Sequence, residues 1–231
     1  MKRFLRNERL RIRMIRKENI KYEFSVEGET EKWYLQWLES MINDTEESTY
    51  KVSFCAKVTK NPRKFIKNIN SISTEKLYHV CDVEGSDSAS LNSFNSVLDN
   101  LHEASESKGI EYFLGYCNMS FELWLILHKQ NYNGNHTNKT EYLTAINKSF
   151  SESFSSLSDF KKEANFKRCL GKLRLADVRD AIARANSIMR ENESCGRMLV
   201  KYKDYEYYKD NPSLSIHSII EEVMGLCGLV N

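Results

Sequence analysis

Four times between Tyr22 and Leu127 the sequence sets a short apolar run and follows it with a pattern of helical spacing. Tyr22, Phe24 and Val26 alternate as a half-buried strand does, and Tyr34, Leu38, Met41 and Ile42 then recur on one helix face. Tyr50, Val52, Phe54 and Ala56 alternate again, and Pro62, suited to a helix's first turn, precedes Phe65, Ile66 and Ile69. Leu77 to Cys81 reads as a buried strand, with Leu91, Phe94, Leu98 and Leu101 marking the helix behind it. Ile110 to Tyr116 is the fourth strand-like run, and an apolar helix through Leu127 follows. This order predicts βαβ crossovers and a mainly parallel, Rossmann-like α/β sheet flanked by helices. Beyond it the chain changes character. An Asn-, Gly- and His-rich stretch at 129–139 reads as a loop, and 141–150, 158–170, 177–191 and 213–226 read as helices. The expected organisation is a basic arm over 1–21, an α/β core over 22–135 and a helical part over 136–231 packed on that core. The serine-rich stretch 149–158 is the candidate for a mobile connection.

At 231 residues, 41% hydrophobic and 29% charged, the chain can bury a substantial core. Its net charge of +2 is unevenly placed: nine Lys or Arg against Glu8 and Glu18 give the first 21 residues +7, which leaves the remainder near −5. Such an arm suits phosphate or a partner, or else is a solvated face salt-bridged to an acidic body. Arginines interrupt its apolar runs, which argues against a signal peptide. No 18-residue apolar run is present to cross a membrane. The six cysteines are scattered singly without a Cys-x-x-Cys pair, which argues against a zinc knuckle and favours a reducing cytoplasm. Cys55, Cys81 and Cys117 are expected as small buried residues in or beside strands.

The strand ends carry the chemistry. The first delivers Glu27 and Gly28, then opens into a helix bearing Glu31, four residues on and on the same face. Another exits through Asp82-Val83-Glu84-Gly85, with two carboxylates two residues apart. The fourth run leads to Ser120-Phe121-Glu122, where Ser120 would cap the next helix and Glu122 would sit in its first turn. Open α/β sheets hold ligands at the carboxyl ends of their strands. Five carboxylates gathered there would repel one another by several kcal/mol in a low-dielectric cleft without a cation, and oxygen donors suit Mg²⁺. Paired metal ions about 4 Å apart on shared carboxylates are a standard device of phosphodiester chemistry. Glu31 and Glu122 also have a plainer reading, since helix N-termini favour acids. That reading does not reach Glu27, Asp82 and Glu84.

The segment Phe24-Ser25-Val26-Glu27-Gly28-Glu29-Thr30-Glu31, followed by Asp82-Val83-Glu84, resembles the Toprim signature of a Glu after one strand and an Asp-x-Asp after a later one. More narrowly, the chain is similar to the RloB family. The likeness is carried by Asn118-Met119-Ser120-Phe121-Glu122-Leu123-Trp124-Leu125-Ile126-Leu127-His128 and by Asn211-Pro212-Ser213-Leu214-Ser215-Ile216, and it runs from the basic arm nearly to the C-terminus. The chain departs from the pattern at Glu84, where Asp is usual, and at Met119, which stands for Pro. The resemblance implies a Toprim-type fold and a place among prokaryotic antiviral, abortive-infection proteins, often acting with an ABC-type ATPase. It also implies a nuclease dependent on Mg²⁺ or Mn²⁺. By comparison with the OLD group of Toprim nucleases, metal would be held by Glu27 and Glu31, by Asp82 and Glu84, and by Ser120 and Glu122. Glu27, Asp82 and Glu84 would form the catalytic set. One ion on Glu27, Asp82 and Glu31 would activate water, and a second on Asp82, Glu84 and Glu122 would stabilise the leaving oxygen. What such relatives do favours RNA, tRNA included, over DNA as substrate.

Further residues stay open between two readings. Lys57, Lys60, Arg63 and Lys64, after the second strand, are candidates for nucleic-acid contact or belong to a solvated loop. His128 is a candidate for nucleic-acid contact or general acid at the cleft, or a core or capping histidine. The stretch Lys201 to Lys209 interleaves bases with aromatics, for stacking on a single strand or as a packed cluster. No Gly-rich phosphate loop with Lys-Ser or Lys-Thr is present, so ATP hydrolysis would fall to a partner. The rival functions are a non-catalytic scaffold or sensor for an ATPase, a DNA endonuclease, and a phosphotransfer enzyme of the primase or topoisomerase kind. A homodimer is compatible with the sequence.

Overall fold

A computed structural model describes residues 17–67, 69 and 76–230, so most of the predicted basic arm lies outside the described residues. The alternation read from the sequence is realised as β1 (Asn19–Val26), α1 (Glu29–Asn43), β2 (Lys51–Val58), α2 (Pro62–Ile66), β3 (Lys76–Asp82), α3 (Ser88–Lys108), β4 (Glu111–Asn118) and α4 (Glu122–Leu127). Local chemistry sets several of these boundaries. Asn61 caps α2 by accepting from the Lys64 N–H, with Pro62 behind it where no amide hydrogen is needed. Asp87 caps α3 through the amides of Ala89 and Ser90, and Gly109 ends that helix in the left-handed region at φ 62°.

β1 pairs in parallel with β2 and β3, and β3 pairs in parallel with β4. In the order β2-β1-β3-β4 the chain first adds a strand on one side of β1 and then returns to the other. The gap between the carboxyl ends of β1 and β3 is therefore the switch point of a Rossmann-like sheet, the place where such sheets leave room for a ligand. The pleat divides the core in two. Tyr78 and Val80 of β3 face a large cluster with Phe24, Tyr34 and Trp124, while Leu77 and Cys81 face Phe94, Leu98 and Leu101 of α3.

The C-terminal part contains α5 (Tyr142–Phe150), α6 (Leu157–Phe160), α7 (Glu163–Leu170), α8 (Leu175–Ser194) and α9 (Ile216–Leu226), but it is not wholly helical. The aromatic stretch folds as a hairpin of β5 (Leu199–Tyr202) and β6 (Tyr205–Tyr208), whose Tyr205 and Tyr207 pack with Phe94 and Tyr116. Tyr205 and Tyr207 have the period of a strand, which puts both on the buried face. Residues expected to begin the last helix instead form β7 (Ser213–Leu214), antiparallel to β4 at the sheet's edge. The serine-rich connection is tied down rather than left free: the Asn147 side chain bonds the Phe154 backbone twice, and Glu152 pairs with Arg168 and Lys172.

β2 is the opposite edge, and α1 shields its outer side. Asn43 bonds both the N–H and the carbonyl of Val52, and Glu39 accepts from the Phe54 N–H. Cys55 is exposed on this strand, contrary to expectation, because only the alternate residues Val52 and Phe54 turn to the core; Cys81 and Cys117 are buried as expected. Among the described residues no helix is long and apolar enough to cross a membrane.

Candidate functional site

Glu27 follows β1 directly. Its N–H extends the sheet by bonding the Val80 carbonyl at 3.0 Å, and its Oε2 accepts from the Asp82 N–H at 3.2 Å. The side chain from one strand end is thus fastened to the other. Gly28 then leaves room for a close approach, since a Cβ there would stand 2.9 Å from Glu31 Oε2 and the carboxylate would have to shift. Glu31 folds back into this space from the first turn of α1, only 5% exposed, with Thr30 Oγ1 donating to it at 2.9 Å. From the third strand end comes Glu122, 1% exposed, whose Oε2 accepts from Ser120 Oγ at 2.5 Å. Ser120 therefore serves Glu122 rather than capping α4, which carries no side-chain cap.

The electrostatics show that these acids share one region. Burial pushes the Asp82 carboxyl well above the usual carboxylate range, and the charges of Glu31, Glu122 and Glu27 push it further, with Lys161 pulling back. Glu31 is raised as well, by burial first, against its hydrogen bonds and Lys161. Lys161, at the end of α6, places its ammonium 2.7 Å from Glu122 Oε1. Burial alone would lower its pKa, but Glu122, then Asp82 and Glu31, outweigh burial and raise it. Lys161 was not anticipated from the sequence. It lies far along the chain from Glu122, and lysine is common at any helix end, so no local pattern signals the contact.

Not every expected residue joins this group. Glu84 sits in the left-handed region at φ 65°, which turns its side chain out to pair with Lys139 Nζ at 3.0 Å. As arranged, it is no ligand of the Asp82 group. Of the four basic candidates, Lys60 stands 3.6 Å from Glu27 Oε1. Arg63 is paired with Glu103 of α3 at 2.5 Å, Lys57 is exposed on β2, and Lys64 is exposed on α2. His128 is a core residue, not a nucleic-acid contact. It is 1% exposed; its Nδ1–H donates to the Trp124 carbonyl at 2.9 Å, and its Nε2 accepts from Tyr34 O–H at 3.1 Å. Burial lowers its pKa to about 4.

Carboxylate oxygens at a switch point are the donor set a divalent cation takes, and their mutual repulsion is what such an ion relieves. Glu27, Glu31, Asp82 and Glu122 fit that chemistry. Among the described residues, however, no three His, Cys, Asp or Glu stand close enough to hold an ion as arranged. Two ammonium groups, those of Lys60 and Lys161, engage Glu27 and Glu122 instead. Beside Glu27 and Asp82 a cavity of about 280 Å³ opens between β3 and α3.

A family model described as RloB-like protein matches residues 24–223. Neither the curated proteins nor the solved structures contain a match to the chain.

Proposed function

The chain belongs to the RloB-like family, and from that premise we propose that it is a Toprim-type, metal-dependent nuclease in which Glu27, Glu31, Asp82 and Glu122 hold Mg²⁺ or Mn²⁺. The observation that carries this reading is the crowding of acids at the switch point. Asp82 is hemmed in by three further carboxylates, with Lys161 the cation that offsets them, and both Asp82 and Glu31 are driven toward their protonated forms. Groups perturbed in this way, by burial and by one another beside a cleft, cluster at functional sites.

When bound, a divalent ion supplies positive charge to a phosphodiester and eases the deprotonation of an attacking water. The chain's own residues do the rest. Glu27 is oriented by the Asp82 N–H, and Ser120 and Lys161 fix the two oxygens of Glu122. Lys161 and Lys60 offer ammonium groups to the phosphates of a bound strand. Glu84 stands outside this set. RNA as substrate, tRNA among it, an abortive-infection role in a prokaryotic cytoplasm, and action with an ABC-type ATPase rest on the family resemblance, with DNA as the second substrate to be tried.

The test incubates purified protein with labelled tRNA, other RNA and DNA in Mg²⁺, Mn²⁺ or EDTA, comparing wild type with Glu27→Ala and Asp82→Asn. Cleavage is expected with metal alone and is expected to vanish in EDTA and in both variants. Cleavage that persists unchanged in the two variants would sink the metal reading.

A further inference from the structure

The cavity beside Glu27 and Asp82 has a lining unlike its rim. Its floor is His79 and Cys81 of β3, and its wall is the stripe Ser93, Val97 and Asn100 of α3, spaced so that all three share one helix face. His79 is buried, with Nδ1 bonded to Ser25 Oγ at 2.8 Å, and Ser25 Oγ is in turn 2.5 Å from Tyr112 O–H. This chain fixes the ring and leaves Nε2 without a partner among the described residues. Burial lowers the His79 pKa to about 4, so the ring is neutral near pH 7. Asn100 Nδ2 donates to the Ser96 carbonyl, which leaves its amide oxygen available, and the Ser93 hydroxyl has no partner among the described residues. The interior therefore carries hydrogen-bonding groups and an apolar flank but no formal charge. The rim, by contrast, carries Glu27, Asp82 and Glu84 against Lys60.

A phosphate entering such a cavity would meet the carboxylates first, whereas a neutral heterocycle meets no such barrier. Pockets that enclose drug-sized ligands begin at roughly 300 Å³, so about 280 Å³ fits one base with part of its sugar. An apolar surface for a flat face, with donors and acceptors placed around its edge, is how base pockets are built. Resting on the nuclease reading of the neighbouring carboxylates, we propose that this cavity is a nucleoside subsite. It takes one base of the strand to be cut against Val97, reads its edge with Asn100, Ser93 and His79, and leaves the adjoining phosphate at the rim near Lys60.

The test is equilibrium binding, by fluorescence anisotropy of labelled rA, rC, rU and dU homopolymers in Ca²⁺, to the full chain and to Val97→Trp and Asn100→Ala. Circular dichroism checks that each variant is folded. Filling the cavity in Val97→Trp is expected to weaken every complex about tenfold, through loss of the volume that encloses the base. Asn100→Ala is expected to change the ranking among the homopolymers, and the dU homopolymer set against rU, from which it differs only at the 2′ carbon, distinguishes a ribonucleic from a deoxyribonucleic ligand. Wild-type affinity and ranking in both variants would overturn the subsite, as would a wild type that binds none of the probes. Should Val97→Trp fail to fold, Asn100→Ala and Ser93→Ala decide. Because binding is read without cleavage, a protein that binds in this way but never cuts would refute the nuclease reading and leave the subsite standing.

Discussion

Asp82 is held where its ionised form is disfavoured, and that makes it a liability to the fold. Its folded-state pKa lies well above the unfolded value, so the stability it provides in acid is lost as pH rises through that folded value. Asp82→Asn, which cannot ionise, is expected to be more stable than wild type at pH 7, on the order of 1 kcal/mol in urea unfolding. Below about pH 3 the two should converge, because Asp is then neutral in both states. A variant less stable than wild type at pH 7 would refute the charge-crowding account. Added Mg²⁺ should raise the melting temperature of wild type and leave that of the variant unchanged. The buried histidines act in the other direction. His79, His128 and His217 are each held down to about 4 by burial, so the stability of their neutral forms is complete above about pH 6.5 and is lost as pH falls from there toward 4. His128→Leu is expected to flatten that acid limb while costing about 1–3 kcal/mol at pH 7, because Tyr34 loses its acceptor. An acid limb of unchanged slope would show that His128 is not the neutral core residue described. Which acids met was legible from the strand ends. Which side chain turned away was not, since the sign of φ at Glu84 decides it and leaves no trace in composition.

The elements that sequence periodicity exposed most plainly are the long ones, β1 to β4 with α1 and α3, because each repeats its buried face several times. β7 is two residues long and repeats nothing, and the β5–β6 hairpin sits in a run of tyrosines whose packing partners lie on α3 and β4. A second illegible device is the shielding of β2. Its outward backbone groups are bonded by Asn43 and Glu39, two polar residues of α1 that look like ordinary solvated helix positions in the sequence. Exposed strand edges recruit other strands, and side chains that occupy their donors prevent it. Asn43→Ala is expected to cost about 1–2 kcal/mol and to produce association that grows with concentration in size-exclusion chromatography. A strictly monomeric and equally stable variant would show that the edge needs no such cover.

At the scale of the whole molecule, the C-terminal part completes the α/β core. α9 buries Ile216, Ile219, Ile220, Val223 and Met224 in the main cluster, worth about 7–15 kcal/mol at the usual value per side chain. That matches the entire net stability of an ordinary domain, so a chain ending after Lys209 is expected to lose cooperative thermal unfolding in calorimetry. A sharp transition from the truncated chain would show that the core folds alone. Lys161 adds a second dependence, since the charge that offsets the acids at the switch point arrives from α6, far along the chain from the strands that bear them. β7 also has a consequence in time. Its strand partner β4 is complete at Asn118, yet Ser213 and Leu214, which cover that edge, emerge from the ribosome roughly 5–20 s later at common rates of synthesis. Throughout that interval the nascent sheet presents an unpaired margin, which makes this a chain whose yield in the cell should depend on chaperone capacity and on the speed of translation between those two points.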